Sequence, residues 1–144
     1  MEEYIDLDLP SGTLWATMNV GAEGIADYGA YFSHEEALNF GVTLPTKEQF
    51  RELVENTTYK FMHSYNNTNV NGALFISKNG NELFLPASGF DTKYVVNSDV
   101  CYWSSTKYLN NDDYFCYLFA HKNNVTVTYA ASCFNLPIRC VKNK

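Results

Sequence analysis

The sequence predicts an α+β fold that is mostly β, with one clear helix at about residues 46–56. Short apolar and aromatic runs alternate with turn residues along most of the 144-residue chain. Aromatic residues make up 16% of it, and aromatic side chains favour strands. One stretch, "LPTKEQFRELVENT", instead repeats apolar residues at helical spacing. No linker or internal repeat interrupts the sequence, so we expect a single domain over residues 1–144.

The chain begins with a predicted strand. "YIDLDLP" alternates Ile5, Leu7 and Leu9 with polar residues, which is typical of a strand with one solvent-exposed face. A turn at Ser11 and Gly12 leads to a second extended stretch, "TLWATMNVGA". The aromatic stretch "YGAYFSHEEALNFG" is irregular, and we expect one helical turn at about 34–38.

The predicted helix has a clear beginning. Thr46 and Gln49 form the S/T-x-x-E/Q pattern of a capping box, in which each side chain bonds the backbone N–H of the other residue. Phe50, Leu53 and Val54 then share one face. This face is expected to pack on the core.

Strands and turns make up the rest. "GALFISKNGNELFLPAS" predicts a hairpin around Asn79 and Gly80, because Asn-Gly favours tight hairpin turns. Further strands are predicted in "VCYWSS", in "DYFCYLFAHKNNVTVTYAAS" with its turn at Asn123 and Asn124, and in "PIRCV".

Charge and motifs exclude several classes of function. A net charge of −6 argues against a nucleic-acid partner, since the DNA backbone attracts cations. No run of about 18 apolar residues is present, so no membrane span is expected. The acidic N-terminus lacks the apolar region of a signal peptide. Without a phosphate loop, a dinucleotide fingerprint or a hydrolase motif, we expect neither a cofactor nor catalysis.

The cysteines and histidines do not predict a metal site. Cys101, Cys116, Cys133 and Cys140 contain no C-x-x-C pair, and the three histidines are scattered. Free, buried cysteines are the preferred interpretation, and a disulfide stays open.

Residues 108–138 have an unusual composition. Lys122 is the single Lys, Glu, Gln, Met or Trp among these 31 residues, whereas the first 107 residues contain 20 of these five types. Asn, Tyr, Thr, Ala, Cys and Asp are frequent instead. Ordinary strand composition, which disfavours Lys and Glu, is one explanation.

Several motifs resemble a known family. "IDLDLPSGTLWATMNVGA", "YGAYFS", "LPTKEQFRELVENTTY", "NGNELFLPASGF", "CYWSSTKY" and "PIRCV" occur in the order and spacing of the Fibrobacter-succinogenes-type major paralogous domain of Bacteroidetes. The resemblance spans nearly the whole chain. It implies a C-type-lectin-like fold in which the first strand (Tyr4 to Leu9) pairs with the last (Ile138 to Lys142) and a loop-rich half binds ligands.

The resemblance suggests a second explanation for the composition. The same fold is used by variable proteins of diversity-generating retroelements, including bacteriophage receptor binders, whose C-terminal coding segment is mutated at adenines. An asparagine codon AAC mutated in this way cannot encode Lys, Glu, Gln, Met or Trp. These are the types depleted here, so diversification of the segment at about 102–138 and ordinary strand composition are the two explanations that stay open. With either explanation, the resemblance implies that this segment binds ligands.

Calcium-dependent sugar binding is not expected. Calcium-dependent lectins carry E-P-N or Q-P-D and W-N-D motifs, and this chain has none of them. The family often has a cysteine where this chain has Met18, so the partner that the resemblance implies for Cys140 is missing. We therefore expect metal-independent binding.

Strand alternation assigns the ligand-binding candidates. In "DYFCYLFAHK", Tyr117, Phe119 and His121 share one face, and the resemblance places Leu118 inward on the other. A neighbouring loop that covers this aromatic face is the alternative. We expect one contiguous, solvent-facing surface, backed by buried Leu118, Val125, Val127 and Ile138. Its members are Tyr108, Asn110, Asn111, Asp112, Tyr117, Phe119, His121, Thr126, Thr128 and Tyr129.

These observations predict a recognition module that binds a protein or glycan receptor at a cell or phage surface. An extracellular location is expected with it. One alternative is an enzyme similar to formylglycine-generating oxidases, which requires Cys133 and Cys140 to converge in a cleft. The other is a structural surface or fimbrial subunit.

Overall fold

The computed structural model describes residues 3–144. They form three antiparallel sheets of three strands each, two α-helices and one 3-10 helix at Tyr65–Asn67. This confirms a mostly β architecture with one clear helix. The elements are β1 Tyr4–Asp6, β2 Leu14–Ala16, α1 His34–Asn39, α2 Lys47–Glu55, β3 Thr57–Met62, β4 Gly72–Ser77, β5 Glu82–Pro86, β6 Val100–Tyr108, β7 Asn111–His121, β8 Asn124–Ala131 and β9 Val141–Lys142.

Helix α2 begins with the predicted capping box. The Gln49 N–H donates to Thr46 Oγ1 at 3.1 Å, and the Thr46 N–H donates to Gln49 Oε1 at 2.9 Å. Phe50 and Leu53 are completely buried on its inner face. Both the start of the helix and its apolar face are therefore confirmed, and α1 begins with a capping box of the same kind.

The two predicted hairpins form. Strands β4 and β5 are joined by the Asn79–Gly80 turn, where Gly80 has φ 90°. The turn between β7 and β8 consists of Lys122 and Asn123, because His121 pairs with Asn124. It lies one residue earlier than predicted, with Lys122 rather than an asparagine in the left-handed region at φ 51°.

The first and last strands share a sheet but are not neighbours, so the predicted direct pairing is wrong. The order is β1-β2-β9, with β2 hydrogen-bonded to both. After β1 the chain passes through Asp8, at φ 53°, and turns at Gly12. This turn folds β2 back onto β1, and the other edge of β2 is left to pair with β9. The termini still meet, since Lys144 Nζ lies 2.9 Å from Asp6 Oδ2.

The β6–β7–β8 sheet lies between two apolar cores. Tyr102 and Leu118 face the first core, which includes Phe50 of α2. Trp103, which is fully buried, faces the second core with Ile138. Because successive side chains of a strand point to opposite faces, β6 contributes to both cores.

Arg139 is a buried cation that the sequence patterns did not reveal. Its Nε donates to Asn19 Oδ1 at 2.9 Å, its Nη1 to the Ala16 carbonyl at 3.1 Å and its Nη2 to the Phe84 carbonyl at 3.0 Å. Asn19 also donates to the Tyr102 hydroxyl at 2.7 Å. One side chain therefore links the strand pair at the chain ends to β5 and, through Asn19, to β6.

Within residues 3–144, neither helix is long and apolar enough to cross a lipid bilayer.

Candidate functional site

The predicted ligand-binding segment folds mainly into β6, β7 and β8. In the β7–β8 ladder, Tyr117 pairs with Thr128 and Phe119 with Thr126. Directly opposed residues of an antiparallel pair project to the same face of the sheet. One face, here called the cleft face, therefore carries five predicted site residues: Tyr117, Phe119, His121, Thr126 and Thr128.

The other candidates lie elsewhere. Tyr129 pairs with Cys116, so it projects to the face opposite Thr128, where its ring stacks on Tyr108 at 3.7 Å between centroids. Asn110, Asn111 and Asp112 are exposed at the β6–β7 turn. There, Asp112 Oδ1 forms a salt bridge with Lys107 Nζ at 2.6 Å.

The prediction of one contiguous, solvent-facing surface is therefore wrong. The candidates occupy two faces that adjoin along the edge strand β8. Tyr117 and Phe119 are half-buried against the second core, so the alternative of a covered aromatic face is partly correct. The predicted backing is confirmed in part: Leu118 is fully buried and Val125 and Val127 are partly buried against the first core, whereas Ile138 is buried in the second core, on the side of Tyr117.

An aromatic cleft of about 270 Å³ opens beside Tyr117. Phe90 and Phe134 enter it from two loops, and Cys101 and Ala130 lie on the neighbouring strands β6 and β8. The lining consists of Phe90, Cys101, Tyr117, Tyr129, Ala130, Phe134 and Leu136. Sequence reasoning named only Tyr117 and Tyr129 among these. For Phe90 and Phe134 the available signal was that each is the lone aromatic residue in a polar stretch, "SGFDT" and "SCFNL".

The two loops that enclose the cleft are tied together by the backbone. The Asp91 N–H donates to the Asn135 carbonyl at 2.8 Å, and the Asn135 N–H donates to Asp91 Oδ1 at 2.7 Å. Gly89 has φ 62°, and a Cβ there would overlap the Tyr94 carbonyl oxygen. Phe90 packs edge-on against Phe134 with centroids 5.3 Å apart. Because these contacts preform the loops, a ligand would find the aromatic walls already in place.

The cleft is uncharged at neutral pH. Burial, then the nearby Cys101 and Asp99, raise the pKa of Tyr117 to about 12. Burial, with a smaller effect from Asp99, also raises the pKa of Cys101 to about 12. Both groups therefore stay protonated, and the Cys101 thiol is not the thiolate that a cysteine nucleophile requires. Such a lining suits a neutral, apolar group.

His121 is a structural contact at the end of this face. Its Nδ1 lies 2.9 Å from Asp99 Oδ1 and 3.2 Å from Ser98 Oγ. These contacts anchor the loop that precedes β6 to the end of β7. His121 does not line the aromatic cleft.

His34 is the buried histidine of this half of the molecule. Its Nε2 lies 2.7 Å from the Ser104 carbonyl and must donate to it, and its ring stacks on Phe115. No group within residues 3–144 hydrogen-bonds to Nδ1, which is also buried. Adding a proton there would bury an unpaired N–H, so the neutral ring is favoured. Desolvation accordingly lowers the pKa of His34, opposed by the smaller effect of the Ser104 carbonyl.

We expect acidification to destabilise the protein through His34. Because the pKa of the ring is lower in the folded than in the unfolded state, the unfolded state binds the extra proton first. The free energy of unfolding should then fall as the pH drops below about 6.5, the unfolded value. Urea unfolding at pH 7.0 and 5.5 measures how much the free energy of unfolding drops between the two pH values. His34→Gln should make this drop smaller. The exposed His63→Gln is the control, and an equal loss in both variants would contradict the assignment.

Ser104, Cys133 and Cys140 carry groups that can act as nucleophiles. Ser104 is buried and donates to the Cys116 carbonyl at 2.6 Å. Cys133 is exposed whereas Cys140 is buried, and no disulfide joins them. Within residues 3–144, no three His, Cys, Asp or Glu side chains are grouped to hold a metal ion.

Comparison with protein-family models, with curated proteins and with solved structures found no match.

Proposed function

We propose that this domain is a recognition module that binds a partner through the aromatic cleft. The observation that carries the proposal is the cleft itself. Three aromatic rings from separate parts of the chain converge on an uncharged opening that the protein does not fill. Solvent-accessible aromatic clusters of this kind mark binding surfaces.

The proposal extends to the fold and family. We propose a C-type-lectin-like domain related to the Fibrobacter-succinogenes-type paralogous domains. The motifs shared with that family support it, as do chain termini that meet in one sheet and a helix packed beside them. An extracellular location at a cell or phage surface follows from that family relationship.

The chemistry of the cleft favours an apolar group of a protein ligand over a sugar. Pockets for drug-sized ligands occupy roughly 300–1,000 Å³, and this cleft of about 270 Å³ suits a group of the size of one ring. Its side-chain polar groups are the hydroxyl of Tyr117 and the thiol of Cys101, since the Tyr129 ring projects to the opposite face of the sheet. A sugar would need several more hydrogen-bond partners. An aromatic side chain is the usual anchor of a protein interface.

Filling the cleft should abolish binding of a small aromatic probe. Indole and a methyl glycoside are titrated separately into the labelled protein, and amide chemical shifts in NMR spectra are followed. Indole should shift the amides around Tyr117, and Ala130→Phe should weaken its binding by at least about tenfold because the new ring occupies the cleft. Ala131→Phe is the matched control, since Ala131 projects to the opposite face.

Two results would contradict the proposed site, and a third would change its ligand. Indole that binds both variants equally would bind elsewhere, and indole without effect would show that the cleft takes no aromatic group. A methyl glycoside that shifts the same amides when indole does not would favour a glycan ligand.

Diversification by a retroelement is a separate proposal supported by the composition of residues 108–138. Sequencing the locus should show a template repeat that matches this segment, with substitutions at adenines, beside a reverse-transcriptase gene. A locus with neither would leave ordinary strand composition as the explanation.

A further inference from the structure

A second groove runs between α2 and the edge strand β8. It is separate from the aromatic cleft, and its proposed role does not rest on the binding of an aromatic group there. It consists of two adjoining concavities of about 190 and 230 Å³, both lined by Arg51 and Val127. Lys47 and Tyr108 line the first, and Glu55 lines the second. The groove therefore follows β8 from Val125 to Tyr129, about 17 Å for five residues of an extended strand.

The outer edge of β8 is unpaired. The sheet order ends at β8, and within residues 3–144 no other strand pairs with it. In a hairpin with a two-residue turn, the two residues that flank the turn form a hydrogen-bonded pair. Every second cross-strand pair beyond them is hydrogen-bonded as well. Asn124, Thr126 and Thr128 therefore bond to β7. The backbone N–H and C=O groups of Val125, Val127 and Tyr129 point away from β7, on the open edge of the strand that lines the groove.

One end of the groove carries two cations. Lys47 and Arg51 are four residues apart on α2, on the same side of the helix, and such like-charged pairs destabilise a helix. No salt bridge between described residues engages either of them. Burial raises the pKa of the Cys116 thiol inside the groove; Lys47 and Arg51 partly offset this effect and Glu48 adds to it. The two cations that line the groove therefore supply positive charge at this end of it, in a protein of net charge −6.

Apolar side chains surround the same end. The ring of Tyr129 is 47% exposed and stacks on Tyr108. Leu109 is 78% exposed and lines the concavity from the β6–β7 turn. Exposed apolar groups beside unpaired cations and an open strand edge are the components of a peptide-binding groove.

We propose that this groove binds an extended acidic segment of a partner protein, which pairs with β8 as an additional strand. The backbone of the segment bonds to Val125, Val127 and Tyr129, and a carboxylate near the Tyr129 end meets Lys47 and Arg51. Glu55 at the other end disfavours a second carboxylate there and so sets the direction of the segment. A second copy of β8 fits less well, because Asn124–Ala131 contains no acidic residue.

The test uses a capped, fluorescent seven-residue peptide that alternates valine and threonine and carries aspartate at its first position. Fluorescence anisotropy should show saturable binding, and a peptide with lysine in place of aspartate should bind about tenfold more weakly. Arg51→Glu should weaken binding of the aspartate peptide by about the same factor. Lys60→Glu makes the same charge change at an exposed position outside the groove and should leave binding unchanged.

Amide hydrogen exchange identifies the bonded edge. The peptide should protect the amides of Val125, Val127 and Tyr129 and leave those of Thr126 and Thr128 as they were. The proposal is overturned if the aspartate peptide does not bind, or if Arg51→Glu and Lys60→Glu weaken binding equally. It is also overturned if the three amides are already protected in a protein that light scattering shows to be a dimer, because a second copy would then occupy the groove. The indole titration is unaffected by any of these results.

Discussion

Arg139→Met is expected to destabilise the domain by about 3–5 kcal/mol, because three buried hydrogen bonds from a charged donor are lost at once. The guanidinium is fully buried and donates to Asn19 Oδ1 and to the carbonyls of Ala16 and Phe84. Methionine fills much of the same volume but donates no hydrogen bond. The three acceptors would therefore stay buried and unpaired, at about 1–3 kcal/mol each where water cannot reach them.

Urea unfolding followed by circular dichroism measures this effect. Total stabilities of domains are about 5–15 kcal/mol, so the variant should lose a large share of its stability. Arg51→Met is the matched control, because Arg51 is exposed and its replacement should change stability by no more than about 0.5 kcal/mol. Equal stability of the two variants would show that the Arg139 network contributes little.

Leu118→Ala is expected to destabilise the domain by about 2–5 kcal/mol, the usual range for truncating a buried leucine. Leu118 is fully buried in the first core, where tight packing leaves little room for collapse around the missing atoms. Thr128→Ala, on the opposite face and on the neighbouring strand, should change stability by no more than about 0.5 kcal/mol. Thermal unfolding of both variants measures the difference.

Tyr117→Ala and Phe119→Ala should each destabilise the domain by more than Thr128→Ala and by less than Leu118→Ala. The sequence predicted that both rings would be solvent-facing. Each instead packs partly on the second core, so its removal also exposes apolar neighbours. Unfolding curves for these variants that match Leu118→Ala would make the cleft face part of the core and would exclude it as an adaptable binding surface.

Local patterns predicted the parts of the fold that depend on local interactions. The Thr46 and Gln49 capping box predicted the start of α2 because its partners are three residues apart. The Asn79–Gly80 turn predicted the β4–β5 hairpin because glycine adopts positive φ at little cost. Strand β3 was missed, since Thr57 follows the last helical turn after a single residue and no turn signal separates the two elements.

Pairing between distant segments could not be predicted in the same way. The alternating pattern of Ile5 and Leu7 indicates a strand but not its neighbour, and β2 rather than the last strand pairs with it. Alternation also correctly separated Tyr117 from Leu118. It could not show that the loop with Phe90 would cover part of the Tyr117 face, because that contact depends on how residues 88–99 fold back across the sheet.

The sequence by itself determined the mostly β class, the clear helix, the main hairpins and the buried side of β7 and β8. Each of these depends on residue spacing within one element. Only the tertiary structure decided the sheet order at the termini, the division of the predicted site between two faces and the aromatic cleft. It also decided the burial of Arg139, whose acceptors Asn19 and Phe84 lie far from it in the chain. These features arise from contacts between residues distant in sequence, whose partners no local pattern specifies.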